Sequence, residues 1–74
     1  MLDDTYAQYM VGYAYRNGHG VFSDFAKSLA WFEIAQENGD EDAEKEILNV
    51  KQYMSNDELA KAQQYKNEII DEIW

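Results

Sequence analysis

The chain has 74 residues, no cysteine and no proline, and fifteen acidic residues against six basic ones leave a formal charge of −9. A chain of this length holds one small domain, and the lack of cysteine excludes disulfides, thiol catalysis and cysteine-ligated metal sites. Because the negative charge repels nucleic-acid phosphates and anionic membrane surfaces, we expect neither nucleic acid nor membrane as a partner.

The N-terminal residues lack the basic start and the apolar stretch of a signal peptide. Nowhere does an apolar run approach the about 20 residues that span a bilayer. We therefore expect a cytoplasmic location. The alternative is that a signal peptide was removed ahead of the numbered sequence.

The first predicted helix spans about residues 5–16. It follows Asp3 and Asp4, either of which can accept hydrogen bonds from the free amides of a helix start, and it ends before Gly18. Its apolar positions at helical spacing are Ala7, Val11, Ala14 and Tyr15. Gly12 inside this helix costs about 1 kcal/mol relative to alanine, which indicates that another helix approaches closely there.

A turn over residues 18–22 leads to a second predicted helix, which Ser23 or Asp24 is placed to cap. We expect this helix to run to Asn38 and to be stopped by Gly39. Its apolar face comprises Phe25, Ser28, Leu29, Phe32 and Ala35 or Gln36, with Trp31 beside them. The first two helices should form an antiparallel hairpin.

Two further helices are predicted in the second half, which contains no proline and no glycine beyond residue 39. The third begins at the acidic residues 40–42, whose charge suits the positive end of the helix dipole, and should run to about Met54. Ser55 and Glu58 match a capping box for the fourth helix, and Met54 can pack against Leu59 as a hydrophobic staple. The expected inner face of the fourth helix comprises Leu59, Ala62, Lys66, Ile69 and Ile73, widened by Ile70 and Trp74. The pattern predicts an all-α fold of about four helices.

An internal repeat is visible at a shift of 36 residues, which aligns Ala7 with Ala43 and Val11 with Ile47. An ordered set of glycines, aromatics, aspartate and lysine accompanies it: Ala7-Gln8-Tyr9-Met10-Val11-Gly12, Tyr15, Asn17-Gly18-His19-Gly20-Val21, Asp24-Phe25, Lys27, Trp31-Phe32, Ala35 and Gly39. This set resembles a Sel-one-like repeat, a relative of the tetratricopeptide repeat. The resemblance implies a helical hairpin of the α-α superhelix type, as a fragment of a right-handed solenoid.

The resemblance weakens after Gly39. The third helix keeps two of the repeat's positions but has Leu48 where the pattern has glycine, and residues 54–63 are similar to the segment that commonly closes such arrays. We interpret residues 1–74 as a single domain, with the repeat at about 5–39 and a terminal half-repeat with a capping helix at about 40–74. Ser28 and Gln36 also depart from the family, which usually has alanine at both positions.

No catalytic or metal site is indicated. His19, the only histidine, could be imagined as a general base, but no nucleophile or orienting carboxylate has a defined place near it, and we interpret it as a turn residue. The acidic residues 40–44 lack the central glycine and the distant bidentate glutamate of a calcium loop. We interpret them as a solvated helix start, and we expect no catalytic residue, metal or cofactor.

A candidate partner-binding stripe lies on the first helix, where Tyr6, Met10 and Tyr13 recur beside the repeat's own stripe. Aromatic residues and methionine are enriched at interface centres, and the resemblance implies that this helix lines a concave binding surface. Arg16 and Asn17 can add polar contacts on the same side. The alternative is that the stripe packs on the chain's own C-terminal helix or replaces contacts of a preceding repeat.

The expected function is a non-enzymatic protein–protein interaction module, an adaptor or scaffold, that binds a protein or peptide through the first helix and the open hairpin edge. The acidic charge favours a basic partner. One repeat cannot bury both of its faces, so a homo-oligomer is a further option. The alternative function is a small acidic inhibitor or immunity-type protein that occludes the active site of its partner.

Overall fold

A computed structural model describes residues 4–73, with the backbone alone for residue 73, and this range contains four α-helices and no strand. They are α1 (Thr5–Asn17), α2 (Phe25–Glu37), α3 (Asp42–Lys51) and α4 (Asn56–Ile73). The central helix is α2, which packs against each of the other three. The predicted all-α fold of about four helices is confirmed.

The ends of α1 and α2 follow the local signals in the sequence. The carboxylate of Asp4 accepts hydrogen bonds from two amides of the first turn of α1, at 3.0 and 3.3 Å. Gly18 ends α1 in the left-handed conformation with φ of 72°, which favours glycine. Of the two candidates before α2, Asp24 supplies the cap, accepting from the amide of Lys27 at 3.1 Å. The other candidate before α1, Asp3, lies outside the described residues.

The third helix is shorter than predicted. Asp40 caps its start by accepting from the amides of Asp42 and Ala43. The prediction that α3 runs to about Met54 is wrong, because the helix ends at Lys51. The chain then tightens into a turn, in which the amide of Met54 donates to the carbonyl of Lys51 and the Met54 side chain packs against the core.

The capping box that was predicted for α4 is confirmed. The amide of Ser55 donates to Oε1 of Glu58 at 3.0 Å, and the amide of Glu58 donates to Oγ of Ser55 at 3.2 Å. Each side chain thus satisfies a backbone donor that the helix leaves free. The two hydrogen bonds therefore fix the start of α4 at Asn56.

The core lies around α2, where α1, α3 and α4 converge. Its buried apolar cluster comprises Ala26, Leu29, Phe32, Ile47, Val50 and Ala62. Most of the predicted face of α2 is buried, although Gln36 is exposed, and Ala30 and Ile34 on other sides of the helix are buried as well. On α4, Ala62 is buried and the other predicted inner residues up to Ile70 are half-buried. The side chains of residues 73 and 74 lie outside the described part of the chain.

Helices α1 and α2 form the expected antiparallel hairpin. The amide of Asp24 donates to the carbonyl of Tyr15 near one end, and the side-chain amide of Asn38 donates to Oε1 of Gln8 near the other. Gln8 is fully buried, which its polar character did not suggest. These contacts tie the two helices together near both ends of the hairpin.

The closest approach of the hairpin is at Gly12. A Cβ atom added there would lie 2.8 Å from Cδ1 of Phe32, so a larger residue would push against the Phe32 ring. Beside it, the buried hydroxyl of Ser28 donates to the carbonyl of Gly12 at 2.7 Å. The close approach inferred from Gly12 is present, and Ser28, in place of the usual alanine, adds a hydrogen bond between the two helices.

Candidate functional site

The outer face of α1 consists of Tyr6, Met10, Tyr13 and Asn17. Tyr6 is 66% exposed and Met10 is 42% exposed. Asn17 is exposed at the end of the helix, whereas Tyr13 is half-buried. Large apolar side chains are thus presented to solvent on the side of α1 that the sequence indicated.

Tyr13 links this face to the core. Its ring lies 6.3 Å from the ring of Tyr9, which in turn lies 5.5 Å from the ring of Phe32. On the other side, the ring of Tyr13 lies 6.2 Å from that of His19, which is exposed in the turn after α1. Tyr13 therefore packs beneath the exposed residues of the outer face and projects little into solvent.

Arg16, the fourth residue of the predicted site, turns toward α3. Its guanidinium forms an ion pair with Glu46 and donates to Oδ1 of Asn49 at 2.9 Å. Both members of the ion pair are mostly buried. Arg16 therefore links α1 to α3 through side-chain contacts.

The start of α3 makes this side of the molecule acidic. Burial raises the pKa of the Tyr9 hydroxyl above its ordinary value, and the nearby carboxylates of Glu46, Asp42 and Asp40 raise it further. Since these carboxylates act on Tyr9 from α3 and the turn before it, they lie close to α1. Because Glu46 is paired with Arg16, the negative charge near Tyr9 that no ion pair among residues 4–73 offsets comes from Asp40 and Asp42.

Equivalent positions of the internal repeat differ in burial. Ala43, Ile47 and Val50 on α3 are 0%, 6% and 1% exposed, and the latter two belong to the core cluster around α2. The residues 36 positions earlier, which we call the N-terminal edge, are only half-buried: Ala7, Val11 and Ala14. The edge of α1 thus has the side chains that dock α3 onto a helix, but among residues 4–73 no helix covers it fully.

On the neighbouring face of the two helices, the α1 residue is buried and its α3 counterpart is exposed. Gly12 is buried against α2, whereas its equivalent Leu48 is 66% exposed. The fourth helix therefore does not cover α3 as α2 covers α1. Instead α4 packs on α2, where Lys66 forms an ion pair with Glu37.

A groove between α1 and α4 results from this placement. The α1/α4 groove is lined by Tyr15 from α1, by Lys27 and Trp31 from α2, and by Tyr65, Glu68, Ile69 and Glu72 from α4. The Lys27 ammonium lies 5.6 Å from the ring centre of Tyr15 and 5.5 Å from that of Tyr65. Sequence reasoning missed this groove, because it depends on how α4 packs and no local pattern reports that.

Two features are absent from residues 4–73, a metal-binding cluster and a membrane-spanning helix. No group of three or more histidine, aspartate or glutamate side chains there is arranged to hold a metal ion. Within the same range, no helix is both long enough and apolar enough to cross a bilayer.

Comparison with known proteins identifies the hairpin. A family model described as the Sel1 repeat matches residues 5–40, which contain α1, α2 and the turn between them. No curated protein and no solved structure matches the chain. Sel1 repeats generally mediate protein–protein interaction, and the family is typically non-enzymatic. The match on the α1–α2 hairpin of an all-α chain fits a Sel1-like repeat protein.

Proposed function

We propose that the chain is a non-enzymatic adaptor or scaffold that binds a protein or peptide through the outer face of α1 and the N-terminal edge. The observation that carries this proposal is the exposure of Tyr6 and Met10 on one helix face. Side chains of these types supply much of the binding energy at the centres of protein interfaces. Tyr13 and Arg16 contribute from below, Tyr13 by packing and Arg16 by holding α3 in place, and Asn17 adds a polar contact.

The proposed partner is basic on the surface that meets α1. The chain has a formal charge of −9, and the carboxylates of Asp40 and Asp42 act on Tyr9, which contacts Tyr13 of the outer face. Opposite charges across an interface accelerate association and select among partners. We further propose that residues 40–74 act as a half-repeat and cap that closes the other side of the hairpin.

The test is affinity capture from the source cell with the intact chain, followed by titration of each captured protein. The variant Tyr6→Ala/Met10→Ala removes the exposed apolar groups of α1. We expect this variant to bind the captured partner at least about tenfold more weakly, because truncation of a central interface residue costs more than about 1 kcal/mol.

The matched control is Tyr53→Ala/Leu48→Ala, since Tyr53 is 65% exposed and Leu48 is as exposed as Tyr6 but both lie at or after α3. We expect this control to bind as the unchanged protein does. Equal binding by both variants would contradict the role of α1. A captured enzyme that loses activity when the chain binds would point to the inhibitor alternative.

A further inference from the structure

The α1/α4 groove is lined by aromatic and aliphatic side chains that are partly exposed to solvent. Tyr15, Trp31 and Ile69 supply apolar area from three different helices, and all three are half-buried. Along α4 the lining extends from Tyr65 to Glu72, about 10 Å at the rise of an α-helix. The groove is thus long enough to contact about two turns of a second helix.

Its rim is acidic on the α4 side. Glu68 and Glu72 are exposed, and neither has an ion-pair partner among residues 4–73. The lysine of the groove does not neutralise them by pairing, because the ammonium of Lys27 lies over the rings of Tyr15 and Tyr65. Two carboxylates therefore remain available to positive charges on an occupant.

The other wall of the groove, Tyr15 of α1, borders the N-terminal edge, whose counterparts on α3 pack against α2. Val11 lies one helical turn before Tyr15, so the wall continues along the N-terminal edge. The equivalent of Val11 on α3 is Ile47, which is buried in the cluster that includes Leu29 and Phe32 of α2. The internal repeat thus shows which kind of element fits this stripe: an α-helix that presents large apolar side chains.

We propose that the α1/α4 groove binds one amphipathic α-helix of a partner protein, whose apolar face lies on Val11, Trp31 and Ile69 and whose flanking lysine or arginine residues meet Glu68 and Glu72. This inference rests on the proposed function and names the partner of its N-terminal edge. A second copy of the chain fits less well, because it brings a further formal charge of −9 to an acidic rim.

The probe is a synthetic helical peptide of about 18 residues, long enough to populate a helix. It has phenylalanine, leucine and phenylalanine at the spacing of Phe25, Leu29 and Phe32 of α2, with lysine at the flanking positions. A second peptide has the same apolar residues with glutamate in place of lysine. Binding is followed by the fluorescence of Trp31 in a Trp74→Phe background, and amide chemical shifts in NMR spectra locate the contact.

We expect the lysine peptide to change the Trp31 signal saturably and to shift amides of α1 and α4 that border the groove. The glutamate peptide should bind at least about tenfold more weakly, since its charges oppose those of the rim. Raising the salt concentration should reduce the difference in affinity between the two peptides, because salt screens exposed charges.

Two pairs of variants test the location. Glu68→Gln/Glu72→Gln should lower the affinity for the lysine peptide about fivefold. The control Glu41→Gln/Glu44→Gln makes the same charge change at the exposed start of α3 and should lower this affinity less than about twofold. Val11→Gln should weaken binding of the lysine peptide by at least about fivefold, whereas Leu48→Gln, at an exposed apolar site on α3, should not. The glutamate substitutions lie on the surface, so their result does not depend on the folding of the Val11 variant.

Several outcomes would overturn the inference. These are no saturable change up to about 1 mM lysine peptide, equal effects of the two glutamate pairs, or chemical-shift changes confined to the outer face of α1. Sedimentation that shows a dimer which Val11→Gln dissociates would instead assign the groove to a second copy. A captured partner that is lost with Tyr6→Ala/Met10→Ala but retained with Val11→Gln and Glu68→Gln/Glu72→Gln would support binding through the outer face of α1 and reject the helix-binding groove.

Discussion

Helices α1 and α3 align at a shift of 36 residues, yet they bury different sides. On α3 the residues Ala43, Ile47 and Val50 are buried around α2, and Leu48 is exposed. On α1 the position equivalent to Leu48 is Gly12, which is buried against Phe32. The edge residues of α1 remain half-buried.

The difference shows that similar residues can be buried in the core on α3 and form a candidate interface on α1. A helix of a repeat has two docking stripes, one for its own hairpin partner and one for the preceding unit. In α1 the hairpin stripe is filled, and in α3 the stripe for the preceding unit is filled. The unfilled stripe of α1 is apolar, whereas that of α3 includes Glu44 and Lys51 around Leu48, which suits solvent.

The largest expected effect comes from Phe32, which serves both helices because it contacts Gly12 of α1 and belongs to the cluster with Ile47 of α3. Phe32 is fully buried, so Phe32→Ala should lower the free energy of unfolding by about 3–5 kcal/mol, measured by urea denaturation with circular dichroism. The control Phe22→Ala removes the same ring from a position 97% exposed and should change it by less than about 0.5 kcal/mol. Similar losses in both variants would contradict the central place of Phe32.

Alanine at Gly12, compared with alanine at its counterpart Leu48, should give the next largest change in the free energy of unfolding. Gly12→Ala places a Cβ atom against the Phe32 ring at 2.8 Å, and the overpacking cost of about 1–3 kcal/mol should outweigh the gain of about 1 kcal/mol in helix propensity. Leu48→Ala, at an exposed site, should be nearly neutral in the same denaturation experiment. A Gly12→Ala variant more stable than the unchanged chain would show that α2 does not approach α1 this closely.

A smaller effect is expected from the hydrogen bond between the helices of the hairpin. Ser28→Ala deletes the buried donor to the carbonyl of Gly12 and should destabilise the chain by about 1 kcal/mol. The control is Ser23→Ala, because the Ser23 hydroxyl donates to the carbonyl of Arg16 at an exposed site. This variant should lower the free energy of unfolding by only a few tenths of about 1 kcal/mol. If alanine at position 28 were neutral, the family's usual residue would pack equally well without the bond.

The smallest effect should come from the ion pair that joins the two compared helices. A double-mutant cycle of Arg16→Gln and Glu46→Gln should give a coupling of about 0.5 kcal/mol that decreases at high salt, because the side chains retain some exposure. The same cycle with Glu44→Gln, on the exposed side of α3, should give a coupling near zero. Equal couplings would mean that Arg16 senses only the general charge of α3.

Much of the helical structure was predictable because its signals are local. Asp4 and Asp24 accept from amides within three residues, and Gly18 adopts a backbone conformation that other residues rarely adopt. The end of α3 was misplaced because no glycine or proline follows Lys51. The turn there depends on Met54 reaching the core, which requires the rest of the fold.

The site residues divide along the same line. Tyr6 and Met10 were placed on one helix face by their spacing, and exposure follows from the face. Arg16 was grouped with them, but its partner Glu46 lies 30 residues later in the chain, beyond the reach of any local pattern. Gln8 was not identified as buried for the same reason, since its partner Asn38 is brought to it by the hairpin.

The sequence by itself determined the helices, the hairpin, the repeat and the close approach at Gly12, because each depends on residues whose backbone preferences or spacing act over a few positions. Only the tertiary structure decided that α4 packs on α2 rather than on α3, and hence that Leu48 is exposed and the α1/α4 groove exists. Burial is a property of neighbours in space. Equivalent residues such as Val11 and Ile47 therefore have similar side chains but different surroundings.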